Sequence, residues 1–151
     1  MDVLRRNTDY ALRAMVNLAG HYGQEDISTR DIARAEDISY ELACKLMQKL
    51  HNAGLVKSSM GPNGGFSLSK KPARINLLEI IGAIQGPLSL NRCLLGANVC
   101  PHQKDCTITV ELAKLQKYIT NYLRGITLDE LLQSRCAKKK GKAKKYKRRK
   151  R

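Results

Sequence analysis

Residues 28–68 read STRDIARAEDISYELACKLMQKLHNAGLVKSSMGPNGGFSL, and the order of signals in this stretch decides the fold. Ser28 followed by Asp31 resembles a capping box and opens a short helix through Ala35. Ser39 caps a longer helix running to about Ala53, where Gly54 stops it. Only Glu36-Asp37-Ile38 separates the two, so the spacing predicts a helix-turn-helix. In the second helix Leu42, Ala43, Leu46, Met47 and Leu50 share an inner face, which directs Ser39, Glu41, Lys45, Gln48 and Lys49 outward. Such groups reach phosphates or base edges. Leu55–Ser59 and Phe66–Leu68 then flank Gly61-Pro62-Asn63-Gly64-Gly65, which predicts a β-hairpin wing. The glycine-rich turn lacks the Lys-Ser/Thr ending of a phosphate loop and opens a strand rather than a helix, so no nucleotide site is expected.

Upstream, Ala11, Ala14, Met15, Leu18, Ala19 and Tyr22 recur at three and four residues, which predicts an amphipathic helix from Thr8, its expected N-cap, to Tyr22. Downstream, residues 77–85 (LLEIIGAIQ) form a short buried helix ended by Gly86-Pro87, and a loop follows that holds Cys93, Cys100 and Cys106. From Thr107 to Arg124 no Gly or Pro intervenes, and Ile108, Leu112, Leu115, Ile119, Tyr122 and Ile126 make an a/d seam. A seam beyond the winged domain is where a symmetric dimer would be built, although a core helix shows the same spacing. Thr127 caps a final short helix, Leu128 to Leu132.

With no Trp and a single Phe, the core has to come from Leu, Ile, Val, Ala and Met, which suits packed helices. The expected fold is mainly α: a winged helix-turn-helix DNA-binding domain over 1–90, a cysteine loop over 91–106, a dimerisation helix and short final helix over 107–133, and a basic disordered tail over 134–151. Residues 138–151 (KKKGKAKKYKRRKR) hold 11 of the 28 basic groups and none of the 13 acidic ones. The 17 basic and 13 acidic groups elsewhere leave +4 of the net +15. Such a distribution calls for a polyanionic partner, and nucleic acid precedes membrane because no amphipathic anchor accompanies the charge. A solvated tail that aids solubility is the plainer reading. With no apolar run of membrane-spanning length and no signal-peptide pattern in MDVLRRNTDYALRA, a cytoplasmic protein is expected.

In that reducing compartment five cysteines, three of them close together, bind metal or react rather than form structural disulfides. Cys93-x6-Cys100-x5-Cys106 is not the close pairing that grips one zinc ion, and longer arcs suit a larger object. A metal-free thiol–disulfide switch, and an architectural nucleic-acid binder with a structural zinc site, remain open alternatives. Cys44 lies on the polar side of the recognition helix or as a small buried thiol, and Cys136 is incidental at the edge of the tail. Cys100 and His102 lack an orienting third group, so no enzyme is expected.

TDYALRAM (residues 8–15), ISTRDIARAEDIS (27–39), LVKSSMGPNGGFSL (55–68) and the cysteine loop together resemble the Rrf-two family of bacterial winged-helix repressors, over almost the whole chain to about residue 133. Within that family the chain is similar to the cluster-binding branch, the iron–sulfur cluster regulators and nitric-oxide sensors. The resemblance implies a homodimer on double-stranded DNA with a palindromic operator, recognition helices in two major grooves and wings at adjacent minor grooves. It places DNA contacts at Ser39, Glu41, Lys45 and Lys49 on the helix and at Lys57, Ser59, Gly61 and Asn63 in the wing. It also implies an iron–sulfur cluster on Cys93, Cys100 and Cys106, of the [4Fe-4S] or [2Fe-2S] type. One family precedent for a further ligand is a histidine three residues past the last cysteine, where this chain has Thr109. The other is an aspartate near the N-terminus supplied by the other subunit, which Asp9 matches, and this favours a [4Fe-4S] cluster sensing nitric oxide or redox state. His102 is a competing donor, and a carboxylate at Asp9 is also favoured simply by the helix dipole. Met60 stands where the iron–sulfur cluster regulators have arginine, and Glu41 and Lys45 replace other polar residues, so the operator sequence does not transfer.

Overall fold

The computed structural model describes residues 3–96, 99–103 and 105–135. In chain order these hold α1 (Arg6–Gly20), α2 (Thr29–Glu36), α3 (Tyr40–Asn52), β1 (Val56–Ser58), β2 (Phe66–Leu68), α4 (Leu77–Gln85), α5 (Thr107–Gly125) and α6 over residues 128–135. The fold is mainly helical, with β1 and β2 antiparallel in the register Val56 to Leu68, Lys57 to Ser67 and Ser58 to Phe66. The basic run 138–151 and Cys136 lie outside the described residues.

The central caps fall where the sequence puts them. Ser28 accepts the Asp31 N–H and Ser39 accepts the Leu42 N–H, while Asp37 takes the left-handed conformation (φ 54°) that turns the chain between α2 and α3. Asn76 and Glu79 form a reciprocal capping box at α4. Thr127 and Glu130 do the same at α6. Thr8 differs from its expected role. It is buried inside α1, whose N-cap is Arg5, and it donates its hydroxyl to Gln85 Oε1 at 2.6 Å. That amide oxygen also accepts the Arg5 N–H at 3.1 Å, so a side chain at the end of α4 satisfies the helix start that no local cap reaches. Tyr22 lies past the end of α1 and is exposed.

One core joins Ala11, Met15 and Leu18 of α1, Ile32 of α2, Leu46, Met47 and Leu50 of α3, Val56 and Leu68 of the hairpin, Ile80 and Ile84 of α4, and Leu128 of α6. The apolar stripes of these helices meet there, and burial of the stripes supplies most of their stability. Leu42, expected on the inner face, is only half-buried at its edge.

No residue of α5 is buried. The expected seam divides: Leu112, Ile119 and Ile126 are half-buried, whereas Ile108, Leu115 and Tyr122 are exposed, together with Tyr118 at 70%. The open apolar stripe is therefore 108-115-118-122. On its other side α5 leans against α4.

Candidate nucleic-acid interface and cysteine loop

The first turns of α2 and α3 and the turn of the wing converge on one face. Thr29, Arg30, Tyr40, Ser58, Gly61 and Gly64 are among the residues around a cleft of about 400 Å³. Arg30 stands over the Tyr40 ring, 6.0 Å from its centroid, a cation–π geometry that leaves the guanidinium at the surface. Cys44 lies one turn along α3, and its proximity pushes the Tyr40 phenol above the ordinary value. Cys44 itself is half-buried.

Ser39, Glu41 and Lys45 are exposed at the start of α3, as the sequence places them. Lys49 is exposed as well, but its ammonium donates to the Ile84 carbonyl at 3.0 Å, where it satisfies an acceptor near the end of α4. In the wing Lys57, Gly61 and Asn63 are exposed. Ser59 is engaged: its hydroxyl donates to the Asp26 carboxylate, and its oxygen accepts the Gly65 N–H at 3.2 Å. The bond from Ser59, with the Ser67 hydroxyl and the Lys57 charge nearby, holds the Asp26 carboxyl below its ordinary value. Ile27 exchanges both backbone bonds with Phe66 at 3.0 and 2.9 Å. A Cβ on Gly65 would overlap the Ile27 carbonyl, which is why glycine ends this turn.

Arg30, Tyr40 and Asp26 are absent from the contacts the sequence nominates. Arg30 and Tyr40 carried one usable signal, since each opens a helix of the helix-turn-helix; Asp26 carried none.

The turn between α2 and α3 is held from α1. Glu36 is buried, and its carboxylate accepts from Arg13 Nε at 3.0 Å and Asn17 Nδ2 at 3.3 Å; Arg13 Nη2 also reaches the Glu36 carbonyl at 3.1 Å. Arg13 lies one turn beyond Asp9, which is exposed in the first turn of α1.

In the cysteine loop Asn91 caps a one-turn 3-10 helix at Arg92–Leu94, and Gln116 of α5 accepts the Leu90 N–H at 3.0 Å. Gln103 ties the loop across, donating Nε2 to the carbonyls of Cys93 (2.6 Å) and Gly96 (2.9 Å). Its Oε1 is buried without a partner among the described residues. Cys93, Cys100 and Cys106 are free and half-buried. Thr109 stands between two of them: its hydroxyl lies 3.7 Å from Cys93 Sγ and, with its own N–H and that of Ile108, holds the Cys106 thiol below the ordinary value. Among the described residues no three His, Cys, Asp or Glu stand close enough to hold a metal ion, so a single chain brings neither Cys100 nor Asp9 into a set with the other two thiols. His102 is exposed. No helix among the described residues is long and apolar enough to cross a membrane.

Comparison with known proteins accounts for this arrangement. The IscR regulator of Xenorhabdus nematophila is 31% identical over 125 residues, 83% of this chain and 76% of its own. CymR, the global cysteine regulator of B. subtilis, superposes with a TM-score of 0.72 at 27% identity over 89% of this chain and 98% of its own. IscR of T. potens gives 0.69 at 29% identity, over 87% of this chain and 86% of its own. The family model of Rrf2, an iron-dependent transcriptional regulator, matches residues 4–134. These relatives are transcription regulators rather than enzymes, and they share the helix-turn-helix and wing described above. The chain belongs to the Rrf2 family of DNA-binding transcription regulators.

Proposed function

We propose that the chain is an operator-binding repressor, acting as a homodimer, whose DNA affinity is set by a [4Fe-4S] cluster on Cys93, Cys100 and Cys106, with Asp9 of the second copy as the further ligand. The observation that carries this reading is the loop: three free thiols on one segment, two of them meeting at Thr109 and one already biased toward the thiolate that iron requires. The buried, unpartnered Gln103 Oε1 adds a polar capacity inside the loop that the described residues leave unused. The donor set fits a soft, multi-iron group, and loading it entails drawing Cys100 toward the other two thiols. When bound, the cluster supplies a centre that reacts with nitric oxide or changes redox state.

The protein's own part is transmission. A carboxylate is a harder ligand than a thiolate, so Asp9 would hold its iron more weakly and release it first. Asp9 shares α1 with Arg13, and Arg13 grips Glu36 at the turn into α3. A shift of α1 therefore reaches the recognition helix through a bonded path. A difference of a few kcal/mol between two dimer arrangements is enough to switch operator affinity. The open stripe of Ile108, Leu115, Tyr118 and Tyr122 on α5 is the surface this dimer would cover.

The likeness to a cysteine regulator and the lowered Cys106 thiol favour a second reading, a metal-free switch in which reversible oxidation of the loop thiols moves α5. Protein isolated without air separates the two. The cluster reading expects brown protein with iron and acid-labile sulfide, loading abolished in Cys100→Ala, and a retained cluster with altered spectrum and nitric-oxide reactivity in Asp9→Ala. Colourless protein whose operator affinity still responds reversibly to oxidation supports the second. Identical spectra and titrations for Asp9→Ala and wild type would return Asp9 to the role of a helix-end carboxylate.

A further inference from the structure

The wing is bonded to more than its own strands. Ser59 closes its turn by accepting the Gly65 N–H and donating its own backbone N–H to the Gly65 carbonyl at 3.0 Å. The same hydroxyl donates to Asp26, which lies immediately before the Ile27–Phe66 bridge and two residues before the Ser28 cap of α2. Wing turn, residues 26–28 and α2 thus form one hydrogen-bonded unit. A carboxylate on the face that meets phosphates opposes binding by its charge, so a favourable contribution from Asp26 has to come through geometry.

We propose that Asp26 is a positioning residue for DNA reading: through Ser59 it fixes the angle of the wing against the helix-turn-helix, so that Lys57 and Asn63 meet the duplex in register with Lys45. The proposal rests on the reading that α3 and the wing face DNA together. It makes a prediction whose sign differs from that of charge alone. Removing a negative charge strengthens binding to every duplex, whereas releasing the wing weakens binding only where the wing and α3 must be in register.

The test uses the full-length protein and two duplexes of equal length, one selected by the wild-type chain from a randomised pool and one unrelated. Ser59→Ala, which changes no charge, is expected to lower affinity for the selected duplex about tenfold, the size of one lost hydrogen bond to a charged group, and to leave the unrelated duplex unchanged. Asp26→Ala is expected to lower affinity for the selected duplex and raise it for the unrelated one. The double variant should be no weaker on the selected duplex than Asp26→Ala alone, because the two residues form one link. Ser59→Thr, which keeps the hydroxyl, should restore selectivity, and hydrogen exchange at the Gly65 amide should quicken in Ser59→Ala and not in Ser59→Thr. Far-UV circular dichroism establishes that each variant is folded. Equal strengthening on both duplexes in Asp26→Ala, or unchanged selectivity in Ser59→Ala, overturns the positioning role while leaving the DNA reading intact. A wild-type chain that selects no sequence overturns both.

Discussion

Arg13→Ala would leave a buried carboxylate with one donor. Glu36 is 4% exposed, and of the three bonds that converge on it two come from Arg13: Nε to the carboxylate at 3.0 Å and Nη2 to the carbonyl at 3.1 Å. Asn17 Nδ2 at 3.3 Å alone would remain. Breaking a fully desolvated pair from one side costs about 3–5 kcal/mol. Arg13 is 48% exposed, so water enters the vacated space, and the expected loss is nearer about 2 kcal/mol. With an unfolding entropy of about 2.1 cal/mol/K per residue over about 130 ordered residues, that lowers Tm by about 7 °C. Urea unfolding at one protein concentration should show the midpoint moving with its slope unchanged. Pairing Arg13→Ala with Glu36→Leu removes the stranded charge and should recover most of the loss. A loss below about 0.5 kcal/mol in Arg13→Ala, or no recovery in the double variant, would refute the reasoning and mean that the pair is effectively solvated.

Gly65→Ala should cost about 2 kcal/mol or more, beyond the range of ordinary surface substitutions, because the new Cβ displaces the Ile27 carbonyl and breaks the bridge to Phe66. Calorimetry and hydrogen exchange at the Phe66 amide check this, and a wild-type melting curve counts against it. Lys45→Ala should cost about 1–3 kcal/mol of operator affinity and relax base preference at one position; a footprint with wild-type affinity and preference throughout would remove Lys45 from the reading set. The bonded Asp26 carboxyl has a lowered folded value, so its stabilisation is present above the ordinary carboxylate range and fades as pH falls through that lowered value. Stability curves of wild type and Asp26→Ala should therefore stand apart at neutral pH and converge in acid, and a constant gap would contradict the assignment.

Much of the fold was legible because it is written locally. Ser28, Ser39 and Thr127 cap helices with donors and acceptors a few residues away, and the apolar repeat in α3 places Leu46, Met47 and Leu50 in the core. What escaped depends on contacts across the chain. Thr8 looked like a cap because its chemistry suits one, but Gln85, far along the sequence, completes the start of α1 and takes the Thr8 hydroxyl inside. The spacing of α5 showed an apolar helix without showing that Leu112 and Ile119 are half-buried while Tyr118 joins the open stripe. At the interface the sequence nominated Lys49 and Ser59 as outward polar groups, yet both side chains bond within the chain, to Ile84 and Asp26. The cysteine spacing was legible; the place of Thr109 between Cys93 and Cys106 was not, because it depends on where α5 begins relative to the loop.

The measurement that tests the central claim most directly follows the affinity of anaerobically isolated, full-length protein for its selected operator duplex while the cluster is titrated away with nitric oxide, with iron and sulfide assayed in the same samples. The account predicts iron and sulfide at the stoichiometry of one [4Fe-4S] cluster per chain and an operator affinity that changes in step with cluster loss, while Cys100→Ala shows neither cluster nor response. An operator affinity that stays constant as the cluster is destroyed, or a wild-type protein that carries neither iron nor sulfide when kept from air, would contradict it.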